Sequence, residues 1–118
     1  MDEKILVEKA YEAIEMAKAS GGKIRKGSNE ATKAIEKGIA KLVVVAKDTN
    51  PPEVIMHLKH LCKDKKALYI EVPSKVELGR AAGLPVGSSA VAIVQEGNAK
   101  TVLKQIEKAL GEEDGSKE

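Results

Sequence analysis

Aromatic side chains are almost missing from this chain: Tyr11 and Tyr69 stand alone, with no Phe and no Trp. Domains that hold single strands by stacking bases need aromatic platforms, and two tyrosines far apart in sequence do not make one. An RNA partner would then be read through hydrogen bonds, backbone and shape. Cys62 is the one cysteine, which excludes an internal disulfide and makes a reducing, cytoplasmic setting the default expectation. No apolar run approaches the roughly 18 residues of a membrane span. The opening Met1-Asp2-Glu3-Lys4 reads as neither a signal peptide nor an Arg-rich transit peptide, so no membrane association is expected. Arginine is scarce too: of the 20 basic residues, all but Arg25 and Arg80 are lysine.

What is present describes one ordinary domain. The 118 residues, 42% hydrophobic and 32% charged, suffice for a core without metal or disulfide support. The net charge of +2 is unevenly spread. Residues 112–118 carry Glu112, Glu113, Asp114 and Glu118 against Lys117, or −3, which leaves +5 on residues 1–111. The expectation is a single domain over 1–111 and an acidic, disordered tail over 112–118. A moderately basic body suits a polyanion partner, and it equally suits a plain lysine-rich surface.

Apolar spacing predicts a helix over 3–19, stopped by Ser20-Gly21-Gly22. Lys23 to Lys26 reads as a short basic edge strand. Ser28 or Asn29 is expected to cap a helix running to about Lys37, ended by Gly38. Leu42 to Ala46 is a continuous β-branched run, the mark of a buried strand. The Asp48-to-Pro52 loop leads into a helix over about 53–63. A strand over 67–72, a helix over 75–82, a loop over 83–89, a strand over 90–94 and a helix over 99–110 follow. Strands alternating with helices imply a three-layer α/β/α sandwich around a small, four-stranded, mixed or mostly parallel sheet. In such sheets sites gather where loops leave the strand ends, here 27–33, 47–54, 73–75 and 83–89.

Enzyme chemistry finds little footing. His57, His60 and Cys62 fall on one predicted helix, where a three-residue spacing can set two metal ligands on one face. With no further Cys or His cluster, the preferred reading is a partly buried helix whose cysteine packs as a small hydrophobe. Nothing near Cys62 activates it as a nucleophile. Gly27 to Lys33 lacks the second glycine and the Gly-Lys-Ser/Thr order of a phosphate loop. No catalytic residue, metal or other cofactor is expected.

The most informative stretch is Lys26-Gly27-Ser28-Asn29-Glu30-Ala31-Thr32-Lys33. It places three kinds of polar side chain on one first helical turn, with Asn29 and Lys33 four apart on a shared face. Free N–H groups there attract phosphate. Asn pairs with a donor and an acceptor together, Glu accepts, and Lys donates to guanine. The same residues also suit an ordinary helix start, and the pattern alone leaves both readings open.

The chain resembles the kink-turn RNA-binding family that includes the archaeal large-subunit ribosomal protein L-seven-Ae and the eukaryotic box C/D ribonucleoprotein relatives. The resemblance spans about residues 3–110. It is carried by Lys26 to Ala46, Asp48-Thr49-Asn50-Pro51-Pro52-Glu53, His57-Leu58, Leu61-Cys62, Pro73-Ser74-Lys75, Leu78-Gly79-Arg80, Gly83-Leu84-Pro85-Val86 and Ala92 to Gly97. It implies an α/β/α sandwich that binds a sharply bent RNA with a three-nucleotide bulge beside sheared G·A pairs. By motif, Asn29, Glu30 and Lys33 would read the guanines, with Lys26, Gly27 and Ser28 beside them. Asn50, Val54 and Lys75 would line the flipped-out bulge nucleotide, and Leu84, Pro85 and Val86 would cover it. Pro85 departs from the family, which often has glutamate there, and this leaves the RNA range open.

The partners so implied are kink-turns in 23S rRNA and in box C/D and H/ACA guide RNAs, with ribonuclease P RNA as a further candidate. Box C/D core proteins would join through the RNA-assembled particle, and the free protein would be a monomer in the cytoplasm. Two other readings stay open: a purely structural ribosomal protein, and an accessory RNA-binding domain of an RNA-modifying enzyme.

Overall fold

The computed structural model describes residues 3–115, with side-chain surroundings described through Gly111. Its order is α1 (Glu3–Ala19), β1 (Lys23–Lys26), α2 (Ser28–Glu36), β2 (Leu42–Ala46), α3 (Glu53–Lys65), β3 (Leu68–Val72), α4 (Lys75–Ala81), β4 (Ala90–Gln95) and α5 (Lys100–Gly115), with a single 3-10 turn at Gly97–Ala99. The expected elements all form, most within a residue or two of their predicted ends. α5 is the exception: it runs on to Gly115, past the stop expected at Gly111 and into the stretch expected to be disordered. One glycine costs a helix only about 1 kcal/mol, which is too little to end it. Residues 116–118 of the expected tail lie outside the described residues.

The sheet order is β1-β4-β2-β3. Only β2 and β3 run parallel, while β4 is antiparallel to both β1 and β2. The sheet is therefore mixed and not mostly parallel. Its edges explain its composition: Lys-Ile-Arg-Lys of β1 is largely exposed, whereas every residue of the inner strand β2 is buried. A strand covered on both faces has no use for alternation.

The two faces sort by residue parity. Leu42, Val44, Ile70, Val72, Val91 and Ile93 turn towards α1, α4 and α5. Val43, Val45, Ala90, Ala92 and Val94 turn towards α2 and α3. On α1, Ala10, Ala13, Ile14 and Ala17 recur at helical spacing and are fully buried, the three alanines letting the helix lie close to the sheet. Each buried Val, Leu or Ile contributes about 1.5–3 kcal/mol. Truncating Ile93 or Leu42 to alanine would cost about 2–5 kcal/mol.

The pairing registers fix what matters for function. Lys26 pairs with Val91, Val45 with Ala90, and Ala46 with Val72. The ends of β1, β2 and β3 and the start of β4 therefore lie at one edge of the sheet. α2, α3 and α4 begin there, and the Lys47–Glu3 ion pair of 2.9 Å brings the start of α1 to the same end.

Candidate functional site

Everything singled out in the sequence as a binding residue sits at this end. Lys26 closes β1, and Gly27 follows with φ 101 and ψ 154, a conformation open essentially to glycine alone. Its N–H donates to the Ala90 carbonyl at 2.8 Å, tying the entry of α2 to β4. The cap expected of Ser28 or Asn29 does not form: Gly27 occupies the cap position with no side-chain cap, and both residues lie inside the helix. Glycine's backbone bend turns the chain directly into the first turn, so the Asn29 amide is not spent on the backbone.

Ala31, Ala34 and Ile35 anchor α2 on the sheet, while Asn29, Glu30 and Lys33 stand exposed on the other side. Lys33 Nζ lies 3.5 Å from Glu30 Oε2. The first turn's N–H groups precede any intrahelical partner. The earliest helical bond here is Ala31 N–H to the Gly27 carbonyl, at 2.9 Å. Thr32 Oγ1 donates back to the Ser28 carbonyl at 2.8 Å.

The other loops are fastened to this helix start through a strip of backbone. Asp48 Oδ1 accepts from the Lys75 N–H at 2.9 Å, joining the β2–α3 loop to the start of α4. The Ser88 N–H donates to the Lys75 carbonyl at 3.0 Å, and Ser88 Oγ donates to the Ala90 carbonyl at 2.9 Å. Buried Thr49 donates through Oγ1 to the Ser89 carbonyl at 3.4 Å. A Cβ on Gly79 would collide with the Val86 carbonyl, so α4 and the 84–87 loop are in direct backbone contact. Asp48, Thr49, Ser88 and Gly79 thus position the site. Sequence reasoning assigned them no role, because their partners lie across loops that no local pattern relates.

The predicted bulge-lining residues differ in availability. Asn50 and Lys75 are exposed, and Val54 is half-buried against the α2–α3 layer. Leu84 leans into the core beside α4, whereas Pro85 and Val86 project, Val86 being 67% exposed. With Val76 and Arg80 they border a shallow groove of about 370 Å³. Among the described residues, the side chains of Lys26, Asn29, Asn50 and Lys75 make no hydrogen bond or ion pair.

The histidines and cysteine of α3 do not converge. Cys62 is buried, and burial pushes its thiol up to about 11, while His57 and His60 are exposed. Among the described residues no group of three or more His, Cys, Asp or Glu is placed to hold a metal ion. Elsewhere, burial and then Glu77 push the Tyr11 phenol up to about 12, with the hydroxyl 3.3 Å from Glu77 Oε1. The hydrogen bond to Glu3 holds Lys47 above its ordinary value.

Fold and surface together define a class: a small α/β/α recognition domain offering one helical turn and three loops at a single sheet end. The chain belongs to the Ribosomal protein L7Ae/L30e/S12e/Gadd45 family, whose model matches residues 8–103. Among solved structures it is similar to the Giardia lamblia 15.5kD RNA binding protein, at 30% identity and a TM-score of 0.79, over 86% of this chain and 84% of that one.

Proposed function

We propose that this protein binds RNA at the described sheet end, recognising and stabilising kink-turns without chemistry of its own. The observation that carries the reading is the exposed set on the first turn of α2: the Asn29 amide, the Glu30 carboxylate and the Lys33 ammonium, beside helical N–H groups. Family membership and the RNA-binding neighbour support the choice of ligand. In this reading Asn29, Glu30 and Lys33 read the guanines of sheared G·A pairs, and Lys26, Gly27 and Ser28 take adjacent phosphates. Asn50, Val54 and Lys75 line the bulged nucleotide, with Leu84, Pro85 and Val86 against it.

The mechanism is population shift: free RNA samples extended and kinked forms, and the protein binds the kinked one. Taking an RNA from 1:99 to 99:1 kinked needs roughly 10⁴-fold preference, about 5.5 kcal/mol. Three base-edge contacts at about 1–3 kcal/mol each are of that order. The RNAs so served would be large-subunit rRNA, box C/D and H/ACA guide RNAs and ribonuclease P RNA, met in the cytoplasm by a monomer that nucleates ribonucleoprotein assembly. A gel-shift titration against a kink-turn RNA and its G·A-disrupted variant tests this. Tight binding of the first and weak, salt-sensitive binding of the second is expected. Equal affinity for both would overturn it.

A further inference from the structure

We infer that the opposite end of the sheet carries a second, sequence-independent contact for RNA phosphates, so that one copy of the protein can hold two stretches of RNA. The inference rests on the RNA-binding reading for its ligand but uses different residues. Lys41 stands just before β2, Lys59 at the middle and Lys63 near the end of α3, Lys66 at its C-cap, and Lys100 and Lys104 on the first turns of α5. They border two hollows of about 460 and 350 Å³ that meet at Leu68, where β3 begins.

All six lysines are exposed, and among the described residues none has a hydrogen bond or ion pair from its side chain. Lys9, Lys33 and Lys47, by contrast, are each paired with a glutamate. Among the described residues, Glu96 and Glu107 are the carboxylates that line these two hollows, against six lysines, of which Lys59 also borders a third hollow with Glu3 and Glu71. Lys66 adds a second indication. It is the only non-glycine residue with positive φ among the described residues, at φ 60 and ψ 36. That is a left-handed cap that glycine or asparagine adopts at less cost. Lysine there adds an ammonium to the border of the hollow lined by Lys41, Lys100 and Lys104.

The form of the surface selects the partner. The lysines lie in a band across α3, the β3 start and α5, which suits an extended polyanion better than one small phosphate. A docking protein would need apolar anchors. The exposed large hydrophobics are Ile5, Ile39, Met56, Val76 and Val86, and none of them borders these hollows. Lysine acts as a flexible point charge, suited to backbone phosphates and counterion release. The five residues of β2 span roughly 17 Å at about 3.3 Å each, which is the scale of the separation between the two sheet ends.

The test uses the full chain, a minimal kink-turn RNA and a short unkinked duplex RNA. Lys63→Glu/Lys100→Glu/Lys104→Glu is compared with wild type and with Lys33→Ala, after thermal melts confirm folding. Wild type already saturated with kink-turn RNA should still bind the duplex in a salt-sensitive second event. The triple variant should lose at least about tenfold in that event and about three units of log–log salt slope, while keeping kink-turn affinity. No second event at low salt, or one that the triple variant retains, overturns the inference. If kink-turn binding itself fails, the duplex titration of free protein still decides. Loss in the triple variant but not in Lys33→Ala supports the second surface, and the reverse overturns it. Preferential binding of polyglutamate over duplex would assign the band to an acidic protein and likewise overturn it.

Discussion

Lys33 Nζ rests 3.5 Å from Glu30 Oε2 across one turn of α2, with both side chains half exposed or more. A pair this exposed contributes little, about 0–1 kcal/mol. It can open to let each partner meet a base, and the fold does not depend on it. Alanine at Lys33 should weaken kink-turn binding by about 1–3 kcal/mol with the melting temperature nearly unchanged.

Glu30→Ala is the more discriminating change. A carboxylate near RNA repels phosphate, so its removal tightens binding that is purely electrostatic. If Glu30 accepts from a guanine, Glu30→Ala weakens kink-turn binding while unkinked duplex binding stays or improves. Tighter kink-turn binding by a folded Glu30→Ala protein would sink the base-reading role.

Asp48 holds the start of α4 through the Lys75 N–H. Asp48→Ala should cost about 0.5–2 kcal/mol of stability, as loss of a helix cap does, and should weaken RNA binding by releasing Lys75 and its loop. Asp48→Asn keeps an acceptor and should restore most of both. Identical melts and affinities for wild type and Asp48→Ala would remove Asp48 from the site's scaffold.

Gly79→Ala drives a methyl into the Val86 carbonyl. Overpacking of this kind costs about 1–3 kcal/mol, here concentrated on the 84–87 loop. The variant should melt earlier and lose discrimination among RNAs with different bulges before it loses affinity for the G·A pairs. Unchanged stability and unchanged bulge preference would contradict the close approach.

Cys62 should resist alkylation in the native protein at pH 8 and react on unfolding, since burial pushes its thiol up to about 11. Burial keeps the folded thiol protonated where the unfolded one ionises. The unfolded state then binds fewer protons, and stability declines as pH rises from about 9 towards about 11. Tyr11 acts with the same sign above pH 10, so Cys62→Ala should flatten only part of the alkaline decline. Rapid native alkylation would show the thiol to be accessible.

Much of the architecture was readable because it rests on local periodicity. The run Leu42 to Ala46 announces a strand covered on both faces, and Lys23 to Lys26 announces an edge. The mixed character of the sheet was less legible, because β4 returns antiparallel through the 83–89 loop and nothing local records its direction. In the site, the α2 residue types were visible, but their mutual arrangement was not. Asn29 suits a cap on propensity, yet Gly27 takes that position. The Asp48–Lys75 bond and the Gly79–Val86 contact cross loops and leave no periodic trace.

The four helices that begin at the candidate-site end of the sheet each carry a glutamate in the first turn: Glu3, Glu30, Glu53 and Glu77. The macrodipoles of those helices are thereby partly answered by the chain itself. A polyanion arriving at random meets carboxylates before it meets amides. In the proposed role this end would select by rejection: an RNA would stay only if its fold carried its phosphates between the glutamates while presenting base edges to them.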